Sequence, residues 1–443
     1  MFLSKPYIHV YTDNRRRFLE NLNGDAAIIF SNPHPTRSHD TEFPYRQSSD
    51  ILYLSGWEDP QSVILLRPNS DEPFILFVQP KDEEKEIWTG RRLGPEGAVK
   101  EYGADAAYPI DELYKRLPAL LQGYETLHYR FTESPERDRR VMKAVGAAKR
   151  MAHRNGMKAL KYFVDLDDVL HQQRLIKSDL EISIMKKAAE ITKEAHIAAM
   201  RCTAPGVNEC ELDAKISQVF RSRGGSGPGY TSIVGGGDNA VILHYISNNA
   251  PLQDGDIVCV DAGCEYAWYT ADVTRAWPVN GVFSQAQREL YTAVLDAQKA
   301  SIAAVQVGAS FADVHLASVY SLTKSLIELG FLKGDVQDRI DDLSYRKYFM
   351  HGTSHWLGID VHDMGKREED GQSMILREGM VLTIEPGLYV ASTDQKAPKK
   401  YRGIGIRIED DILVSSMGPV NLTKEIPKEI EDIEAVMRDV DLS

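Results

Sequence analysis

The chain has 443 residues, 43% of them apolar and 26% charged, a globular composition too long for one ordinary core, so two domains are expected. A net charge of −13 without a dense Lys/Arg stripe argues against a nucleic-acid partner. No run approaches the roughly 18 apolar residues that span a membrane, and the opening Met1-Phe-Leu-Ser-Lys-Pro-Tyr lacks the apolar core of a secretory signal, so a cytoplasmic location is expected.

The N-terminal part reads as an α/β domain over 1–173. Short β-rich runs at Ala26–Phe30, Ile51–Leu54, Val63–Leu66, Phe74–Val78 and Leu127–Arg130 read as strands. Helical patterns cover Thr12–Leu22 and Glu136–Met151. Metal-type ligands do not cluster here. A boundary is expected between Gln172 and Lys177, ahead of a second domain over 174–443.

That domain opens on Ser178-Asp-Leu-Glu181, a capping box whose Glu reaches back to the cap. Ile184, Ala188, Ile191, Ala195 and Ala198 follow at helical spacing, and Pro205-Gly206 ends the run. Asn208-Glu-Cys-Glu211 starts a second helix, which the Gly-rich segment from Gly224 stops before strands begin. The order then recurs: Ser284-Gln-Ala-Gln287 is another box, Gly308-Ala-Ser310 opens another helix ending at Gly330, and strands follow. Two helix–helix–sheet halves, near 178–280 and 284–415, are expected, each giving two acids to a shared site. Cys202 and Cys210 lie near helix ends and Cys259 in an apolar strand, with no C-x-x-C pattern, so buried thiols in a reducing compartment are expected.

The acids stand where charge is costly. Asp261 ends Val258-Cys-Val-Asp261, Asp272 follows Tyr269-Thr-Ala, Glu385 ends Val381-Leu-Thr-Ile-Glu385, and Glu409 ends Gly403-Ile-Gly-Ile-Arg-Ile-Glu409. Burying an unpaired carboxylate costs several kcal/mol. Strand alternation puts Arg407 with Glu409, Thr383 with Glu385, and Thr270 and Thr274 with Asp272, each opposite an apolar face. With His355, in His351-Gly-Thr-Ser-His355, these acids predict a cation site. Four negative charges match two divalent ions, and the oxygen-rich set favours Mn²⁺ over a thiolate-type zinc site. Two carboxylates about 5 Å apart would otherwise repel by roughly 3 kcal/mol at an effective dielectric near 20. His351 and His355 have the spacing of a helical zinc pair, but the intervening Gly-Thr-Ser argues against a helix and no Glu follows the first His.

His351-Gly-Thr-Ser-His-Trp-Leu-Gly-Ile-Asp-Val-His-Asp363 resembles the signature of the pita-bread proline metallopeptidases, in the version with Trp after the ligand histidine. The order Asp, Asp, His, Glu, Glu, with the two Asp eleven positions apart, is similar to theirs. Tyr45-Arg-Gln-Ser-Ser-Asp50, Glu86-Ile-Trp-Thr-Gly-Arg-Arg92 and Tyr401-Arg-Gly-Ile-Gly-Ile-Arg-Ile-Glu-Asp410 resemble the aminopeptidase P branch of that family. The resemblance implies an α/β N-terminal domain followed by an α+β pita-bread, creatinase/aminopeptidase-like catalytic domain. It implies removal of the first residue from peptides with proline second, by hydroxide held between two Mn²⁺ ions, with Co²⁺ or Zn²⁺ as substitutes. Asp261 would bind one ion, His355 and Glu385 the other, and Asp272 and Glu409 both. Glu385 would shuttle the proton. His362 and His244 would face the substrate, with His351 as a neighbour. A homo-oligomer, dimer or tetramer, is also implied.

Several roles stay open. Arg407 either orients Glu409 or forms a structural ion pair. Tyr230 is either next to the metals or an exposed loop aromatic, and Trp88 either walls the cleft or fills a core. The chemistry also admits a prolidase restricted to Xaa-Pro dipeptides, with Arg367 receiving the free carboxylate. A methionine aminopeptidase lacks the large extra domain and this His motif. A non-catalytic peptide-binding module would not need the intact ligand set.

Overall fold

Strands apolar at every position must be covered on both faces, and Val63–Leu66 and Phe74–Val78 are such strands. In the computed structural model, which describes residues 4–439, both are buried throughout. They lie in a six-stranded sheet of order Ala106–Pro109, Phe74–Val78, Val63–Leu66, Ala26–Phe30, Thr126–His128, Tyr162–Val164. Val63–Leu66 runs antiparallel to both neighbours, and the outer pairings are parallel. Helices Leu113–Leu120 and Pro135–Arg154 cover one face, joining Leu117, Val141 and Val145 to Ile28, Leu65 and Phe77. This unit is Met1–Gln173.

Ile51–Leu54 is not a strand. It lies in the helix Ser49–Ser55, buried from Asp50 onward and closed by Gly56 at φ +68°. A four-residue apolar run carries no period that separates a buried strand from a buried helical turn. Gly56 was the usable signal: its left-handed conformation is a helix C-terminus, and a Cβ there would sit 2.6 Å from the Tyr11 ring.

The second unit, Arg174–Ser443, has its own core. Helices Asp179–Cys202 and Glu209–Ser222 precede a three-stranded sheet of Ile233–Gly236, Ile257–Asp261 and Thr274–Pro278. Helices Gln285–Ala304 and Phe311–Glu328 precede the antiparallel pairs Val381–Ile384 with Asp410–Leu413 and Gly387–Val390 with Ile404–Arg407. All four helices start on complete capping boxes, at Ser178, Asn208, Ser284 and Ser310. Each side-chain cap contributes about 1 kcal/mol and sets the first residue of its helix. Leu212 and Phe220 from the first helix pair and Leu290 and Leu322 from the second enter one core with Val258, Trp277 and Ile406.

Arg275 ties the halves together at the site. Fully buried, it donates to the carbonyl oxygens of Thr274 and Glu409 and pairs with Asp410 at 2.7 Å. Cys259 and Cys264 are buried, but Cys202 and Cys210 are exposed, contrary to the sequence expectation for that pair. Cys202 is the last residue of Asp179–Cys202 and Cys210 the second of Glu209–Ser222, each outside its helix's buried stripe. No helix among the described residues is long and apolar enough to cross a membrane.

Candidate metal centre

The four acids emerge where strand ladders stop. Asp261 is the last residue of Ile257–Asp261, and Gly263 turns the chain so tightly that a Cβ would lie 1.8 Å from the Ala271 carbonyl oxygen. Only glycine permits that approach, which returns the chain with Asp272 between Tyr269–Thr270 and Thr274–Pro278. Glu385 follows Val381–Ile384, and Pro386 beyond it has no N–H to extend the ladder. Glu409 lies between Ile404–Arg407 and Asp410–Leu413. Freed from the ladders, their N–H groups bond elsewhere: Asp272 to Asp411 Oδ2 at 3.2 Å, Glu385 to the Thr353 oxygen at 2.8 Å, Glu409 to the Thr274 oxygen at 3.0 Å. The acid-bearing faces are also more enclosed than simple alternation implies, since both faces of Ile404–Arg407 are buried.

His355 lies in irregular chain, as the Gly-Thr-Ser before it predicts. Its Nε2 is 3.2 Å from Asp272 Oδ2 and 3.8 Å from Glu385 Oε1. Nδ1 faces the Trp356 carbonyl oxygen at 3.0 Å. A carbonyl only accepts, so Nδ1 carries a proton; a cation at the site would take the place of the proton on Nε2, which faces the acids. One ligand atom each from Asp272, His355 and Glu409 falls within 4.8 Å of the others.

Arg407 does both things left open by the sequence. Its Nη2 donates to Asp261 Oδ2 at 2.7 Å, and its Nε donates to Thr274 Oγ1 at 3.0 Å. The Thr274 hydroxyl in turn donates to Glu409 Oε2 at 2.7 Å. Asp261 is thus gripped directly and Glu409 through one intermediary. Tyr230, only partly exposed, donates its hydroxyl to Asp261 Oδ1 at 2.6 Å.

These groups line a cleft of about 500 Å³ whose walls come wholly from the second unit. His244 and His362 stand exposed on it. The His362 ring is perpendicular to that of His355, with centroids 4.4 Å apart. His351 also lines the cleft, between the Gly352 carbonyl oxygen at 2.7 Å and the Tyr389 hydroxyl at 2.8 Å. Burial drives its pKa down to about 4, so it is neutral at pH 7. Trp88 belongs to the first unit, on the helix Glu83–Thr89, where it is 86% exposed and not a core residue.

Sequence reasoning missed Tyr389 and Asp411, and placed Thr274 on the Asp272 face without its role. Tyr389 accepts from Arg407 Nη1 at 3.1 Å and holds His351; Thr274 relays Arg407 to Glu409; Asp411 receives the Asp272 N–H. Tyr389 and Thr274 share strand faces with Gly387 and Asp272, a parity the sequence does contain. Asp411 carried no signal beyond being a second acid after Glu409.

Electrostatics test whether a cation fits. Burial pushes the Glu385 carboxyl up to about 7, against the pull of His355 and Arg407. Burial also pushes Glu409 well above the usual carboxylate range, with Asp272 and Glu385 adding repulsion, and raises Asp272, with Asp261 adding to it. His355 moves oppositely: burial opposes its charge, but Asp272 and Glu385 outweigh that and raise its pKa to about 9. Protein cations alone do not neutralise the acids, which resist ionisation. An oxygen-rich cluster with one imidazole lone pair fits a hard divalent ion.

Comparison with known proteins gives the same class. Residues 183–416 match metallopeptidase family M24, and residues 11–129 match the aminopeptidase P N-terminal domain. The chain is 43% identical to the Xaa-Pro aminopeptidase of Escherichia coli, over 96% of each chain. It is 35% identical to human Xaa-Pro aminopeptidase 3, over 93% of this chain and 80% of that one. An aminopeptidase of Pseudomonas aeruginosa superposes with a TM-score of 0.94 at 40% identity, over 98% of both chains. A Zn-substituted E. coli aminopeptidase P in complex with product gives 0.93 at 41%, over 98% of this chain and 99% of that one. The chain therefore belongs to metallopeptidase family M24, among the Xaa-Pro aminopeptidases: a hydrolase with an aminopeptidase P-type N-terminal domain and a pita-bread catalytic domain built from two similar halves.

Proposed function

We propose that the cleft removes the N-terminal residue from peptides with proline second, using two divalent ions. The observation that carries this is the convergence of Asp261, Asp272, His355, Glu385 and Glu409 on one cleft. Asp261 would hold one ion, His355 with Glu385 the other, and Asp272 with Glu409 both. Mn²⁺ suits these ligands best, with Co²⁺ or Zn²⁺ as substitutes. When bound, the ions supply an acidified water as nucleophile and polarise the scissile carbonyl.

The chain's own groups then divide the remaining work. Glu385 accepts the proton of the attacking water and passes it to the departing proline nitrogen. His362 donates to the oxygen on which negative charge develops, and His244, on the same cleft, holds the substrate. Arg407 and Tyr230 fix Asp261, and His351 stays neutral beside Tyr389. The bond to proline carries no N–H, so recognition must rest on ring shape rather than on that donor. The units 1–173 and 174–443 serve as the two domains. Exposed Ile87 and Trp88, side by side on one short helix, support a homo-oligomer, dimer or tetramer, in which Trp88 closes a cleft. Four unpaired cysteines support a reducing, cytoplasmic setting.

Turnover of Xaa-Pro-Pro-Xaa but not Xaa-Ala-Pro-Xaa, restored to chelated protein by Mn²⁺, is the expected outcome. Equal cleavage of both peptides would refute proline selectivity. A prolidase reading has one observation behind it: Arg367 lines the cleft and its guanidinium makes no ion pair among the described residues. Turnover of Gly-Pro alone, with no longer peptide cleaved, would favour that reading.

A further inference from the structure

We propose that Arg174, Lys177 and Asp363 form a buried positioning device that fixes the segment presenting His362 to the cleft. The inference rests on the peptidase reading above. Asp363 follows His362 directly, yet its side chain is 1% exposed while His362 stands in the open cleft. Arg174 Nη2 reaches Asp363 Oδ1 at 2.5 Å and Asp360 Oδ2 at 2.7 Å, and Lys177 Nζ is 3.1 Å from Asp363 Oδ2. Arg174 and Lys177 are 2% and 1% exposed. Two acids thus face two bases. Buried charges are retained where each has its partner.

The surrounding chain is shaped to admit this cluster. A Cβ on Gly358 would lie 2.1 Å from Asp363 Oδ2 and 3.0 Å from Lys177 Cε, so glycine is needed for the carboxylate to enter. The Asp363 N–H donates to the Trp356 oxygen at 2.9 Å, and Trp356 Nε1 donates to the Lys366 oxygen at 3.2 Å. The segment is therefore closed back upon the residue next to His355. Lys177 is itself fixed, its N–H donating to the Gly379 oxygen at 2.8 Å. Gly358 O accepts the Thr270 N–H at 3.0 Å, two residues before Asp272. The backbone that presents His362 is thus held by buried charges on a distant part of the same unit, while its ring packs edge-on against His355.

Arg174→Ala, alone and in a His362→Ala background, tests this. The readouts are kcat and KM on an Xaa-Pro-Pro-Xaa peptide, metal content, and hydrogen exchange across 357–366. Misplacing a group that contacts the reacting atoms by about 1 Å costs up to about 100-fold, so Arg174→Ala should lower kcat by about 10- to 100-fold with metal content kept and KM little changed. Amides in 357–366 should exchange at least about tenfold faster, as expected of a segment that opens locally. In the His362→Ala background the further loss should be under about twofold, because coupled residues are not additive. Arg174→Lys should recover part of the rate. A full multiplicative loss in the double variant, or unchanged exchange, overturns the proposal. Should Arg174→Ala not fold, Asp360→Asn removes only the more exposed partner of the same guanidinium, and the same cycle decides with a smaller shift. Wild-type protein that cleaves no Xaa-Pro peptide would sink the peptidase reading instead, while hydrogen exchange would still decide the positioning.

Discussion

Replacing Glu385 by Gln keeps the shape of the side chain and removes its charge, and the expected effect changes sign with metal. In metal-free protein the folded pKa of Glu385 is about 7 rather than 4.5, raised first by burial. A raised acid pKa means that between these values the folded state holds a proton the unfolded state has lost. Stability therefore falls as pH rises from about 4.5 to 7, and the full penalty stands above that window. The shift of about 2.5 units is worth about 3 kcal/mol at 1.36 kcal/mol per unit. Metal-free Glu385→Gln should thus be more stable than wild type by up to about 3 kcal/mol at pH 8, a Tm gain of roughly 3–5 °C, with little difference at pH 4.5. Addition of Mn²⁺ should invert the order, because wild type gains a ligand bond that the variant has lost. Differential scanning fluorimetry of chelated and Mn²⁺-loaded samples between pH 4.5 and 8 reads both signs. Identical melting of the two chelated proteins across that range would refute the claim that crowded, buried carboxylates define this site.

Other substitutions separate the roles. Glu409→Ala should abolish turnover and release at least one ion, measured by metal analysis; near-wild-type activity would exclude a shared ligand. His362→Ala should keep both ions and lower mainly kcat, by about 100-fold if its donor meets developing charge; a rise in KM alone would contradict that. Arg275→Leu leaves Asp410 buried without its guanidinium partner, which is 2.7 Å away in the wild type. Lys428 Nζ, 2.6 Å from Asp410 Oδ2, still balances the carboxylate, so the loss should be that of the missing hydrogen bonds, about 1–3 kcal/mol, read as a lower midpoint in chemical denaturation; an unchanged midpoint would refute the strut between the halves.

Much of the architecture is local and therefore visible in the sequence. The boxes read at Ser178 and Ser284 need only four consecutive residues, as does the helix start at Asn208, and each marks its helix to the residue. Acids at the ends of apolar runs were conspicuous because the surrounding chain is buried. What was hidden depends on register between distant segments. Thr274 acquires its function by meeting Arg407 and Glu409, more than 130 positions away. Tyr389 does so where Gly387–Val390 pairs with Ile404–Arg407. Asp363 looked like part of a histidine motif, and only the fold shows it reaching Arg174 and Lys177. The failures at Ile51–Leu54 and at Cys202 and Cys210 have one origin. Apolar character signals burial, but in a short run or at a helix end it does not say which conformation or which face.

The central claim is that five side chains from two halves of one unit gather a pair of cations. Titrating chelated protein with Mn²⁺ while following calorimetric heat and peptide turnover tests this most directly. Two ions per chain, with turnover appearing as they bind and no binding at the second site in Glu409→Ala, is the predicted result. Full turnover in protein shown to be free of divalent metal would contradict it.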